Sequence, residues 1–131
     1  MGPQKTILIV ENDGDIRLAL ATVLDQDGYL VVEAENGASG LELAQRVLPD
    51  LVLMDIRMPR MNGVEATERL RADERTRDIP VVAVTGELRD GTAQARRAEG
   101  LFHSILRKPV TSSRLTEHVH GIIGAARDPE P

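Results

Sequence analysis

Five short apolar runs alternate with stretches of helical period, and this alternation limits the fold more than any single residue does. The runs fall near 6–11, 29–34, 51–55, 80–85 and 104–107. Ile7-Leu8-Ile9-Val10, Leu51-Val52-Leu53-Met54 and Val81-Val82-Ala83-Val84 are continuous and largely β-branched or aliphatic. Strands buried on both faces of a parallel sheet read this way. The run at 29–34 differs, because Glu33 and Glu35 suggest one solvated face. Between the runs, Ile16, Leu20, Val23 and Leu24 follow the i, i+4, i+7, i+8 spacing of a one-sided helix, and Leu115, Val119, Ile122 and Ile123 repeat it. Leu41, Ala44 and Leu48 make a shorter stripe, as do Val64, Thr67 and Leu70.

The punctuation agrees with the periodicity. Gly28 follows the first helix, Asn36-Gly37 marks a turn, Pro49 ends the second helix and Pro80 precedes the fourth strand. Asn62-Gly63 sits where a cap opens the third helix, and Thr111 or Ser112 caps the last. The weakest helix lies at 88–100, anchored only by small Ala side chains, so it buries little area. A β-α unit repeated five times implies right-handed crossovers and an α/β fold: a doubly wound parallel sheet of five strands with five helices on its two faces. One domain over 5–124 is expected, with flexible termini at 1–4 and 125–131.

Composition narrows the function. The 131 residues are 41% hydrophobic but only 2% aromatic, so the core is aliphatic. A net charge of −5, from 16 basic and 21 acidic residues, argues against direct nucleic-acid binding as the main role. The absence of cysteine excludes disulfides and thiolate metal sites. No apolar run approaches the ~18–20 residues of a membrane span, and the first residues do not read as a signal peptide. A cytoplasmic protein without membrane contact is the expectation.

Polar groups end the apolar runs. Glu11-Asn12-Asp13 follows the first, Asp55 closes the third, Thr85 the fourth, and Lys108-Pro109 the fifth. Carboxyl ends of parallel strands share one edge of the sheet, where ligands bind. An acidic cluster, a hydroxyl and an ammonium on that edge are the parts needed to accept a phosphoryl group. Taken singly each residue is ordinary: a strand-end Asp is usually a cap, and a lysine before proline is usually solvated.

Together, at these separations, they resemble the receiver domain of bacterial two-component response regulators over about residues 5–124. The carrying segments are Ile7 to Asp13, Pro49 to Pro59, Met61-Asn62-Gly63, Pro80 to Thr85 and Lys108-Pro109. The resemblance implies a flavodoxin-like sheet of order 2-1-3-4-5. It implies Asp55 as phosphoacceptor from a sensor histidine kinase or histidine phosphotransfer protein. It also implies Mg²⁺ held by Glu11, Asn12, Asp55 and the backbone carbonyl of Arg57. Lys108 would pair with a phosphoryl oxygen and the Thr85 hydroxyl would bond another. The altered charge would then remodel the face of the fourth helix, fifth strand and fifth helix for a downstream protein target. Beyond self-phosphorylation and slow self-dephosphorylation no enzyme activity is expected, and the chain is expected to be a monomer or weak dimer. The family commonly has the Lys-Pro bond cis, which sequence leaves open.

Departures from the family pattern matter equally. Position 12 is Asn where a second adjacent carboxylate is usual, so Mg²⁺ binding should be weakened by roughly tenfold. Asp13 either compensates through a water or caps the first helix. Ile105 stands three residues before the lysine, in the place of the family's inward-turning aromatic, so coupling from Thr85 should be blunted or rerouted. Phe102 could substitute, although a packing role suits the only Phe better. Arg57 and Glu87 occupy positions that tune phosphoryl lifetime and could pair across the site mouth. His103, His118 and His120 read as structural or surface residues; the last two are two apart and point to different helix faces. No DNA-binding or catalytic output region is present, so the chain reads as a stand-alone receiver or a piece of a larger regulator or hybrid kinase. The rival reading is a phosphorylation-independent pseudo-receiver, an interaction adaptor on the same fold. A phosphohydrolase using Asp55 would want an acid where Arg57 stands, and a nucleotide-binding protein would want a Gly-rich loop after the first strand.

Overall fold

The computed structural model describes residues 4–58, 61–86 and 100–127. The elements run β1 (Thr6–Val10), α1 (Gly14–Gln26), β2 (Leu30–Ala34), α2 (Gly37–Val47), β3 (Leu51–Asp55), α3 (Gly63–Ala72), β4 (Val81–Thr85), β5 (Ser104–Arg107) and α4 (Ser112–Ile123). All strand pairs are parallel, in the order β2-β1-β3-β4-β5. Sheet and order match the sequence expectation. Four helices are described rather than five, since the stretch at 88–100 falls almost wholly outside the described residues.

Alternation along the central strands builds the two layers. Ile7, Ile9, Leu51, Leu53, Val82 and Val84 pack with Leu20 and Leu24 of α1 and Leu115 and Val119 of α4. Their neighbours Leu8, Val10, Val52, Met54 and Val81 pack on the opposite face with Ala44 of α2 and Ala66 and Leu70 of α3. Side chains at successive strand positions point to opposite faces, so a continuous apolar run supplies both layers at once. The edge strand β2 is wetter: Leu30 and Glu33 are exposed, as the flanking glutamates suggested.

Helix starts follow the cap chemistry. Asn36, Asn62 and Thr111 accept from the backbone N–H groups of Ser39 (2.9 Å), Glu65 (2.9 Å) and Arg114 (3.2 Å). The end of α2 is costlier. Leu48 takes the left-handed conformation at φ 52° to close it, while 49% exposed. A side chain in that region costs roughly 1–2 kcal/mol that Gly avoids, offset in part by glycine's greater freedom when unfolded. Leu48→Gly is therefore expected to raise stability by about 1 kcal/mol, seen as a higher urea midpoint at unchanged slope.

Arg71 ties the far end of α3 to two loops. Its Nε and Nη2 donate to the Leu101 carbonyl (3.1 and 2.9 Å), and Nη1 donates to those of Arg77 (2.9 Å) and Ile79 (2.7 Å). The segment 100–102 entering β5 is thus fastened to α3.

One boundary needs correction. Fraying was expected at 1–4 and from 125, yet Gln4 forms an antiparallel bridge with Arg127, and Lys5 N–H donates to the Ala126 carbonyl at 2.8 Å. Ala126 is only 8% exposed and joins the core, while Tyr29 Oη donates to the Gly124 carbonyl at 2.5 Å. Tertiary docking, invisible in an Ala-Ala-Arg sequence, holds residues 125–127. Residues 1–3 and 128–131 lie outside the described set.

Candidate phosphoryl-acceptor site

Register brings the chemistry together. Val10 pairs with Met54, Asp55 with Val84, and Thr85 with Arg107. The next residues, Glu11 and Lys108, therefore stand level with Asp55 and Thr85 to within about one strand step of ~3.3 Å per neighbouring strand. Glu11, Asp55 and Thr85 are buried, at 2%, 6% and 2% exposure. Lys108 Nζ donates to Glu11 Oε1 at 2.7 Å and lies 3.7 Å from Asp55 Oδ1. Its backbone N–H donates to the Thr85 carbonyl at 3.0 Å. The Lys108–Pro109 bond is cis.

Local structure fixes each carboxylate. Arg57 N–H donates to Asp55 Oδ1 at 3.2 Å, and Asp13 N–H to Glu11 Oε2 at 3.1 Å. Arg17 Nη1 donates to the Glu11 carbonyl at 2.8 Å, and its Nε lies 3.4 Å from Glu33. Gly63 is required behind the site: a Cβ there would lie 2.2 Å from the Asp55 carbonyl oxygen. The Gly63 N–H donates to the Ile56 carbonyl at 2.9 Å, so the start of α3 and the end of β3 form one unit.

The electrostatics are those of a crowded diacid. Burial, then a hydrogen bond with Glu11 and repulsion from it, push the Asp55 carboxyl up to about 7 against the opposing pull of Lys108 and the Arg57 N–H. Burial acts upward on Glu11 too, but its bonds with Asp55, Lys108 and the Asp13 N–H outweigh it and hold Glu11 below the usual carboxylate range. Burial and the nearness of Glu11 thus favour a proton on Asp55, and among the described residues the two buried carboxylates share the Lys108 ammonium. A site short of positive charge in this way suits a hard cation. Among the described residues no group of three or more His, Cys, Asp or Glu side chains stands ready to hold a metal. Further oxygens would have to come from the exposed Asn12 amide and the Arg57 carbonyl. Asp13 is the cap of α1: its Oδ1 accepts from Asp15 N–H (2.9 Å) and Ile16 N–H (3.2 Å).

The remaining candidates fall outside this cluster. Ile105 is 38% exposed on β5. Arg57 is exposed, while Glu87, its suggested partner, lies outside the described residues. His118 Nε2 lies 2.6 Å from Ser104 Oγ and His120 Nε2 lies 2.6 Å from Asp27 Oδ2, so the two do face different elements. Two features escaped the sequence reading. Arg17 was not recognised as the clasp on Glu11. A groove of about 430 Å³, lined by Ile16, Ala19, Leu20, Val84 and Lys108 to Val110, opens beside the site. Ile16 and Leu20 have the spacing of core residues, and periodicity does not tell a covered stripe from a groove wall.

A flavodoxin-like sheet with an acidic pair, a threonine and a lysine gathered at its carboxyl edge places a charged ligand site where open α/β sheets carry theirs. The family model for the response regulator receiver domain matches residues 7–120. The polar-differentiation response regulator DivK of Brucella anthropi is 34% identical over 123 residues, covering 93% of this chain and 98% of the relative. Among solved structures, the receiver domain of the sensor histidine kinase PA1611 from Pseudomonas aeruginosa, with magnesium coordinated in its active-site cleft, superposes with a TM-score of 0.85. It is 28% identical and covers 94% of this chain and all of that one. The chemotaxis response regulator CheY4 of Vibrio cholerae superposes at 0.83, with 26% identity and coverage of 92% and 99%. The chain belongs to the response regulator receiver domain family.

Proposed function

We propose that this chain is a phosphoacceptor of a two-component phosphorelay, modified on Asp55 by a histidine kinase or histidine phosphotransfer protein. The observation that carries the proposal is the convergence of Lys108 on both Glu11 and Asp55 beside Thr85. In the transfer, an Asp55 carboxylate oxygen attacks phosphorus, the P–N bond of the donor phosphohistidine breaks, and the imidazole leaves. A carboxylate is a weak nucleophile, so positioning and charge neutralisation must supply the catalysis. Arg57 N–H fixes the attacking group. Lys108, 3.7 Å away, is placed to follow charge onto a phosphoryl oxygen. Glu11, Asn12, Asp55 and the Arg57 carbonyl would hold Mg²⁺, which supplies the remaining neutralisation when bound. With Asn at 12 and Asp13 committed to its helix, that affinity is reduced. The groove between α1 and the 108–110 turn gives an apolar donor helix a seat next to the acceptor. Output passes through the face of β5 and α4, with the fourth helix expected from the sequence outside the described residues, to a protein target in the cytoplasm, with no direct nucleic-acid contact and no enzymatic turnover beyond loss of the phosphoryl group.

The test is incubation with a small acyl phosphodonor and Mg²⁺. We expect one phosphoryl group per chain, mapped to Asp55 and absent from Asp55→Asn. One observation favours a second reading, the phosphorylation-independent adaptor: Asn12 leaves only two acidic side chains at the metal site. Failure of both the phosphodonor and beryllofluoride to modify or bind the wild-type chain at millimolar Mg²⁺ would select the adaptor.

A further inference from the structure

The structure offers a route from Asp55 to β5 that bypasses position 105. Ile105 is 38% exposed and belongs to none of the three apolar clusters formed by the described residues. Among the described residues it lines only an open groove with Arg114, Glu117 and His118 of α4, where no close-packed cluster holds it in one of two arrangements. Phe102 is placed differently. With Leu101 it packs on a cluster of Ile56, Val64 and Ala83, in which Ile56 and Val64 are 1% exposed and Ala83 is fully buried. Ile56 directly follows Asp55, Val64 follows the Gly63 that abuts the Asp55 carbonyl, and Ala83 lies two residues before Thr85. Phe102 therefore touches the supports of both site residues. Its own backbone is anchored on either side. The Leu101 carbonyl takes two bonds from Arg71, and His103 N–H donates to the Val81 carbonyl at 2.8 Å.

Resting on the phosphoacceptor reading, we propose that modification of Asp55 is coupled to β5 and α4 through Ile56 and Phe102, with Arg71 as the fixed anchor, and not through Ile105. A shift of Asp55 toward a bound phosphoryl group pulls on Ile56, its chain neighbour, and on Arg57, whose N–H it already accepts. Ile56 moves within a close-packed cluster. Leu101 is pinned by Arg71, so the displacement falls on the Phe102 side chain and reaches β5 through the His103 bond to β4. Phe102 and Ile56 are positioning residues in this scheme; neither touches the reacting atoms.

The experiment follows backbone amide NMR shifts on adding beryllofluoride with Mg²⁺ to the full chain. In wild type, shifts are expected at Asp55 and Arg57 and also at Arg107 and Arg114. In Phe102→Leu the shifts at Arg107 and Arg114 should fall by about threefold or more, while those at Asp55 and Arg57 persist. Ile56→Val, a milder change, should give a smaller loss in the same direction and stands in if Phe102→Leu does not fold. Ile105→Ala should keep the wild-type response at every site. Loss at Arg107 in Ile105→Ala, or full retention in both Phe102→Leu and Ile56→Val, overturns the route. A wild-type response confined to Asp55 and Arg57 also overturns it but leaves phosphoacceptance standing, whereas no response at Asp55 defeats both.

Discussion

Asp55→Asn is expected to make the fold more stable above about pH 7, by at most about 4 kcal/mol, with the gain vanishing near pH 4. The carboxyl holds its proton up to about 7 in the fold against 3.8 for the free side chain. Its folded affinity for the proton is raised, so protonation favours folding. That contribution is complete below about pH 4 and is lost as pH rises toward 7; above that, the folded state carries a buried charge pressed against Glu11. For an isolated group the difference corresponds to about 4 kcal/mol. Glu11, held below its usual range by contacts that include Asp55, returns part of it, so that figure is an upper bound. Asn keeps the shape and can donate to Glu11 without adding charge. Urea denaturation of both proteins at several pH values between about 4 and 8 reads the result directly. A stability difference that stays flat across that span would mean that Asp55 is not strained by its neighbour.

Why the gathering of Glu11, Asp55, Thr85 and Lys108 was legible in the sequence is a matter of register. Four polar groups each end an apolar run, and parallel strands deliver run ends to one edge whatever the intervening helices do. Asn62 and Thr111, one of the two residues offered for the last helix, were legible because a cap is a local interaction spanning three residues, whereas Asn36, read as a turn, proved to be the cap of α2. Interactions aimed at distant backbone left no such trace. Arg71 reaches a carbonyl 30 residues away, and Arg17 holds the carbonyl of a residue on the preceding loop, yet either would pass as a surface arginine on a helix. Ala126 shows the same limit at the chain's end, where a small side chain reads as tail until β1 is found beside it. Asp13 lay between these cases. As a cap and as an outer contact to a cation it has the same sequence, and only the two bonds to Asp15 and Ile16 decide for the cap.

That decision is what gives Asn12→Asp its expected size: Mg²⁺ affinity should rise by about tenfold. A unit charge about 4 Å from a cation is worth about 4 kcal/mol at an effective dielectric near 20. Asn12 is exposed, so solvent screens much of this; about a third surviving gives tenfold. Asp13 cannot provide the same charge cheaply, since releasing it from α1 costs roughly 1 kcal/mol of capping. The added carboxylate also works against the metal-free fold, because a third acid beside Glu11 and Asp55 deepens a repulsion that, among the described residues, Lys108 offsets. Asn12→Asp should therefore melt lower than wild type without Mg²⁺ and recover more on its addition, a pairing that a purely structural defect would not produce. Calorimetric titration gives the affinity, and melting with and without the cation gives the pairing. Asp13→Asn is the control: Asn caps about as well as Asp, so both affinity and stability should stay near wild type. Tightening by Asp13→Asn, or none by Asn12→Asp, would move the origin of weak metal binding away from position 12.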